Sequence, residues 1–212
     1  MNHLEQGGTP HYYENAYEFL TQEGEFYYNS KTQTLYYKPR KGEDLTKAEV
    51  IVPVTETLFQ IGNTTEAAHD LEFVGITFQY SNWTRPNTHG YQIMQSSTWM
   101  ESDNRAPVSA AITLQNASKV EIVRCKIYHT GAHAIAAIKD VVSQCSFIGN
   151  HVADTAAGGI YLLLNDAKSV GNRITDNTIE QIGMCYTDAC GILITNTPDV
   201  SILYNEIRRA RY

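Results

Sequence analysis

The sequence predicts an all-β chain, a right-handed parallel β-helix whose coils take about 25–28 residues each, behind a small N-terminal β-rich subdomain. Three observations predict it. One apolar pattern recurs at nearly constant spacing, a second interleaves with it, and an asparagine holds one phase of three successive units.

The first pattern is apolar-x-apolar-x-x-small-x-apolar. It runs from Leu71 to Phe78, then from Val120 to Ile127, Cys145 to Val152, Asn172 to Ile179 and Val200 to Ile207. From Cys125 its steps are 25, 27 and 28 residues. The second pattern reads Ala111-Ile112-Thr113-Leu114, Ala134-Ile135-Ala136-Ala137, Gly159-Ile160-Tyr161-Leu162 and Gly191-Ile192-Leu193-Ile194, with Leu58-Phe59-Gln60-Ile61 as an earlier member. Period-two alternation gives short strands with one face inward. A single coil of this length cannot bury its own apolar face. Stacked coils bury a shared core and pair each strand with its counterpart in the next coil. Asn150, Asn177 and Asn205 then fall in register at a bend, where carboxamides can bond to each other and to the turning backbone. An antiparallel sandwich would also give short strands and Gly or Asn turns, but not an asparagine at one fixed phase.

The expected organisation is a β-rich subdomain over residues 1–56 and coils over 57–212, interrupted by a loop insertion at 79–110. Within the subdomain, Glu14–Leu20 reads as a short helix. Glu25–Tyr28, Thr34–Tyr37 and Glu49–Val52 read as three strands joined by turns at Asn29–Thr32 and Pro39–Asp44. No polar capping coil or helix follows the last repeat, so a longer natural chain is expected.

Composition narrows the partners. A net charge of -7 disfavours nucleic acid, whose phosphates require clustered Lys and Arg. No apolar run approaches the ~18 residues of a membrane span. The opening Met1-Asn2-His3-Leu4-Glu5-Gln6 has neither the basic nor the apolar segment of a secretory signal. The spacing of Cys125, Cys145, Cys185 and Cys190 fits no zinc site, and no metal or other cofactor is expected. Cys125 and Cys145 read as small core residues. Cys185 and Cys190 flank a turn, where a disulfide is one option.

Tyr13–Leu20, Gly24–Tyr28 and Thr34–Asp44, with the later segments His129–Ile135, Asp154–Ile160 and Ile182–Ile192, resemble large bacterial right-handed β-helix proteins. This group is similar to glycoside hydrolase family 141 and to pectate lyase-like enzymes. The resemblance spans most of the chain. It implies the β-helix fold, a polysaccharide or oligosaccharide partner, and an extracellular or periplasmic location for the whole protein. It also implies coils that continue past residue 212, so that part of an active site would lie there.

Equivalent residues of adjacent coils lie about 4.8 Å apart, so a ladder position sets two functional groups side by side. Glycoside hydrolysis needs two carboxyls, about 5–5.5 Å apart for retention and about 6.5–9.5 Å for inversion. Asp154 and Asp188 are the preferred pair, each in a turn entering a Gly-Ile strand of adjacent coils, with the acid and the base or nucleophile unassigned. Both also suit plain turn-forming roles. His129 shares the phase of Asp154 one coil earlier and is expected to orient or protonate it, or to bind a sugar hydroxyl. His133, Trp83, Trp99, Tyr161 and Tyr186 are expected substrate contacts, the flat rings suiting the apolar faces of sugars. The insertion adds Arg85, His89, Tyr91, Glu101, Asp103 and Arg105. Asp176 and Glu180 flank inward positions and read as solvated. Two other functions stay open. A lyase on a uronate polymer would use a base such as Lys168 or Arg173, and a non-catalytic glycan-binding solenoid would use neither.

Overall fold

The computed structural model describes residues 16–86, 106–164 and 167–211, and the backbone of a strand at 99–100. The chain forms two compact units, Met1–Ile51 and Val52–Tyr212.

In the first unit, β1 (Phe26–Asn29) pairs antiparallel with β2 (Thr34–Tyr37). Asn29 closes the hairpin, its Oδ1 accepting the backbone N–H groups of Lys31 and Thr32 at 3.0 and 3.2 Å. The helix expected at 14–20 is reduced, among the described residues, to a single 3-10 turn, Tyr17–Phe19. Its Tyr17 ring stands edge-on to Tyr27 and Tyr36. The strand expected at 49–52 does not form. Val50 and Val52 remain about two-thirds exposed, at 66% and 65%. A Val-Ile-Val run favours extended backbone, but a strand needs a partner edge, and none is paired there.

The second unit is a right-handed parallel β-helix. Its first coil comprises β3 (Phe59–Ile61), β4 (Ala68–Val74) and β5 (Thr77–Gln79). A two-stranded antiparallel ribbon, β6 (Trp99–Met100) and β7 (Ala106–Pro107), lies within the following insertion. The second coil is β8 (Ala110–Leu114), β9 (Ala117–Val123) and β10 (Lys126–Thr130). The third is β11 (His133–Lys139), β12 (Val142–Ser143), β13 (Ser146–Ile148) and β14 (His151–Thr155). The fourth is β15 (Ile160–Leu164), β16 (Asn172–Thr175) and β17 (Thr178–Glu180). The fifth is β18 (Ile192–Thr195), β19 (Val200–Leu203) and β20 (Glu206–Arg208).

Three parallel sheets result. The first stacks β3, β8, β11, β15 and β18, and the third stacks β5, β10, β14, β17 and β20. The second stacks β9, β13, β16 and β19, with β4 and β12 both on β9. The predicted register is the observed one. Phe73, Ile122, Phe147, Ile174 and Ile202 pair coil by coil, as do Ile112, Ile135, Ile160 and Ile192. All of these except Ile202, which is exposed in the last coil, join a continuous apolar core that includes Cys125 and Cys145. Burial raises the Cys145 thiol to about 11, as expected for an inert core cysteine.

The asparagines form the expected ladder between the second and third sheets. Asn150 Nδ2 donates to Asn177 Oδ1 at 3.0 Å, and Asn177 Nδ2 donates to Asn205 Oδ1 at 2.9 Å. Each Oδ1 also accepts the backbone N–H of the equivalent residue one coil earlier: Cys125, Asn150 and Asn177. These bonds satisfy polar groups inside a buried corner, which would otherwise be costly to bury.

Each corner also carries a column of left-handed residues. One is Gly75, Arg124, Gly149, Asp176 and Tyr204, and another is Asp70, Lys119, Gln144, Gly171 and Asp199. A single residue of positive φ bends the chain without a longer loop, so the same phase of every coil adopts it.

Candidate functional site

The third column, at the end of the third sheet, is Tyr80, His129, Asp154, Gln181 and Arg209, with φ of 65, 52, 51, 51 and 54°. Because the whole column shares this conformation, positive φ at His129 and Asp154 belongs to the coil rather than to a strained site. The side chains of the column project outward. Asp154 Oδ2 lies 2.7 Å from His129 Nδ1, across one coil step. Both side chains are half exposed, at 46% for His129 and 45% for Asp154. The Tyr80 ring stacks on the imidazole, with centroids 5.1 Å apart and planes 10° from parallel. With Asp154 ionised, Nδ1 carries the proton and Nε2 turns its lone pair outward. The arrangement is an oriented His–Asp pair, able to move a proton at a solvent-facing surface.

Asp188 sits on the segment between β17 and β18, is 8% exposed, and its charge acts on the Tyr161 phenol. The Asp154 carboxylate bonds to His129. Cys185 and Cys190 are not joined in a disulfide.

Two expected substrate contacts are corrected. His133 and Tyr161 are fully buried at 0%. Their rings stack on each other with centroids 3.9 Å apart. His133 Nδ1 accepts the Gly158 N–H at 2.9 Å, and Tyr161 Oη accepts the Cys190 N–H at 2.9 Å. The phenol is pushed well up from its ordinary value, first by burial. The pair fixes the approach of the 181–191 segment to the first sheet. Gly158 makes room for it, since a Cβ there would strike the Tyr161 ring.

Trp83 and Tyr186 meet edge to face at 4.9 Å, packed with Val108 and Ala132. Trp83 also forms one wall of a cleft of about 260 Å³ over the outer face of the first sheet. Its polar lining includes Glu56, Gln60, Arg85, Thr113 and Lys139. The Glu56 carboxylate accepts the backbone N–H and hydroxyl of Thr84, at 3.0 and 3.1 Å. The side chain of Trp99 lies outside the described residues, as do His89, Tyr91, Glu101, Asp103 and Arg105.

Asp176 is exposed and accepts the Thr175 hydroxyl at 2.9 Å, a turn role. Arg173 is exposed on β16, and Lys168 is exposed on the turn before it. Among the described residues, no cluster of three His, Cys, Asp or Glu side chains is placed to hold a metal ion. None of their helices is long and apolar enough to cross a membrane.

Glu180 corrects the sequence reading most. It is 8% exposed, not solvated, and anchors a polar line on the outer face of the third sheet. Its Oε1 lies 2.9 Å from His151 Nε2. Its Oε2 accepts Arg208 Nε at 2.9 Å and Arg209 Nη1 at 3.3 Å. On the other side of the imidazole, Tyr128 Oη lies 2.7 Å from His151 Nδ1. Sequence reading missed Tyr128 and His151. The signal was present, because both flank inward residues, Ile127 and Val152, that pair on adjacent coils.

Residues 63–207 match the profile of the right handed beta helix region, and the chain belongs to that family. It is also similar to a solved glycoside hydrolase, with 26% identity and a TM-score of 0.74. That likeness covers 93% of this chain and 39% of the other, so the chain spans well under half of its neighbour's length. No curated protein matches the chain.

Proposed function

We propose that the protein is carbohydrate-active and works as a glycoside hydrolase on a polysaccharide or oligosaccharide. The observation that carries this reading is the His129–Asp154 contact, an oriented acid–base pair at a half-exposed corner of a β-helix similar to a solved glycoside hydrolase. Asp154 is the carboxyl that meets the sugar, and His129 positions it. Asp188 is the candidate second carboxyl, carried on the next coil's connecting segment. The Trp83 cleft, with an apolar wall and a polar lining over the outer face of the first sheet, suits one sugar unit. A polymeric substrate implies an extracellular or periplasmic location.

The test is a glycan panel assayed with the wild type, Asp154→Asn and Asp188→Asn. Turnover should fall by about 10²–10⁴-fold in the variants. Equal turnover by all three would remove the assignment. Release of an unsaturated, ultraviolet-absorbing product would mark a lyase instead.

A further inference from the structure

The line of outward side chains on the third sheet is not a ladder of like residues. It joins Tyr128 of the second coil, His151 of the third, Glu180 of the fourth, and Arg208 and Arg209 of the fifth. The order is that of an acid–base relay. Glu180 is held as a carboxylate at about 2, first by the Arg208 hydrogen bond and then by the His151 one. It therefore accepts from His151 Nε2–H, which leaves the Nδ1 lone pair to accept the Tyr128 hydroxyl. His151 is thus fixed in one tautomer and one orientation, with a phenol on one nitrogen and a buried carboxylate on the other.

We infer that Tyr128, His151 and Glu180 form a proton relay whose working end is the Tyr128 hydroxyl, and that this hydroxyl takes a proton from a carbohydrate hydroxyl or a water. The Tyr128 ring is half-buried and 6.3 Å, centroid to centroid, from that of His129. The relay thus adjoins the corner that carries Asp154. In the step, the ligand O–H bond breaks as its proton joins Tyr128 Oη. The phenol's own proton passes to His151 Nδ1. The imidazolium so formed stays bonded to the Glu180 carboxylate, the ligand oxygen keeps the electron pair, and nothing is oxidised or reduced. Burial and the Glu180 charge both raise the Tyr128 phenol, so no standing phenolate forms. The proton leaves only as His151 receives it. Tyr128 is the reacting group, while His151 and Glu180 act through it and position it.

Only the carbohydrate part of this inference rests on the function proposed above. The relay is tested without a glycan, by acetylating tyrosines with N-acetylimidazole at neutral pH and following sites by mass spectrometry. Tyr204, 83% exposed, is the internal reference. Transfer forms the Tyr128 Oη–acetyl bond and breaks the acyl–imidazole bond, while the phenol proton passes to His151 and on to the departing imidazole, which leaves neutral. Tyr128 should react at least ~10-fold faster than Tyr204, and His151→Gln should remove that advantage. A merely structural hydrogen bond on a raised, half-buried phenol would make Tyr128 slower than Tyr204, and that result overturns the relay. An unchanged Tyr128 rate in His151→Gln overturns it equally. On any glycan the protein turns over, Tyr128→Phe should lose ~10²-fold or more in kcat. Full activity in Tyr128→Phe beside a dead Asp154→Asn would refute the relay's role in turnover and leave the hydrolase reading standing. Fast labelling of Tyr128 with no glycan turned over would do the reverse.

Discussion

His129 Nδ1 and Asp154 Oδ2 stand 2.7 Å apart although 25 residues separate them in the chain. One coil of the solenoid is what joins them. The left-handed column turns both side chains outward at the same corner, and the coil step supplies the distance. Asparagine tolerates positive φ nearly as well as aspartate and preserves the shape of the side chain. The Asp154→Asn protein should keep its unfolding free energy to within about 1 kcal/mol, since an exposed ion pair contributes little. Its turnover should fall by about 10²–10⁴-fold. Urea denaturation and the glycan assay on the same preparation check both halves. A large loss of stability would make Asp154 a structural residue.

The asparagine ladder behaves in the opposite way. Asn177 is 1% exposed, and its side chain bonds to Asn150, Asn205 and the carbonyl oxygens of Phe147 and Thr175. Asn177→Ala removes every one of these and strands buried donors and acceptors in two coils. The expected cost is about 2–4 kcal/mol, read from urea denaturation, with no direct effect on the His129–Asp154 corner. Asn205→Ala, at the less buried end of the ladder, should cost less.

The core was legible because every inward position repeats. Phe73, Ile122, Phe147, Ile174 and Ile202 declare one register five times, and no single substitution obscures it. The corner was legible for the same reason, since His129 and Asp154 share a phase. What the pattern could not show is how connecting segments fold back. His133 and Tyr161 occupy strand positions that usually face solvent, yet the 181–191 segment covers Tyr161 through Cys190. Glu180 looked solvated because it flanks the inward Ile179 and so points outward. Its actual neighbours, His151 and Arg208, are 29 and 28 residues away. A repeat reports which residues share a face, and Arg208 does stand directly opposite Glu180, but His151 reaches both Tyr128 and Glu180 diagonally. The run at 49–52 failed for another reason: apolar β-branched residues favour a strand but cannot provide its partner.

The glycines entering the first sheet offer a steric test. A Cβ on Gly159 would collide with the Gly191 carbonyl oxygen, backbone against backbone across one coil step. Neither partner can rotate away, as a flexible side chain would. Gly159→Ala should destabilise the unit by about 1–3 kcal/mol. Gly42→Ala, in the N-terminal unit, meets open space and should show only the smaller cost of its positive φ of 84°. Thermal melts of the two variants should therefore rank Gly159→Ala well below Gly42→Ala.

The strongest pH signature should come from Glu180. Arg208 and His151 hold its carboxyl at about 2, against an ordinary value of 4.5. The folded-state value is depressed, so the unfolded chain binds the proton more tightly. The contribution of Glu180 to stability is then complete above pH 4.5 and is lost as pH falls from there toward about 2. Other carboxylates, among them Asp70 and Glu43, are also lowered, so the wild-type curve alone would not isolate Glu180. The comparison with Glu180→Gln does. Both proteins share the titrations of carboxylates that do not touch Glu180, and only the wild type carries this one. Above pH 5.5 the difference in their urea midpoints should be constant and in favour of the wild type. It should shrink steadily as the pH is lowered from 4.5 to 3, because the wild-type carboxylate is then losing its advantage over the amide. A difference that stayed flat across that interval would show that Arg208 and His151 do not hold the Glu180 carboxyl down.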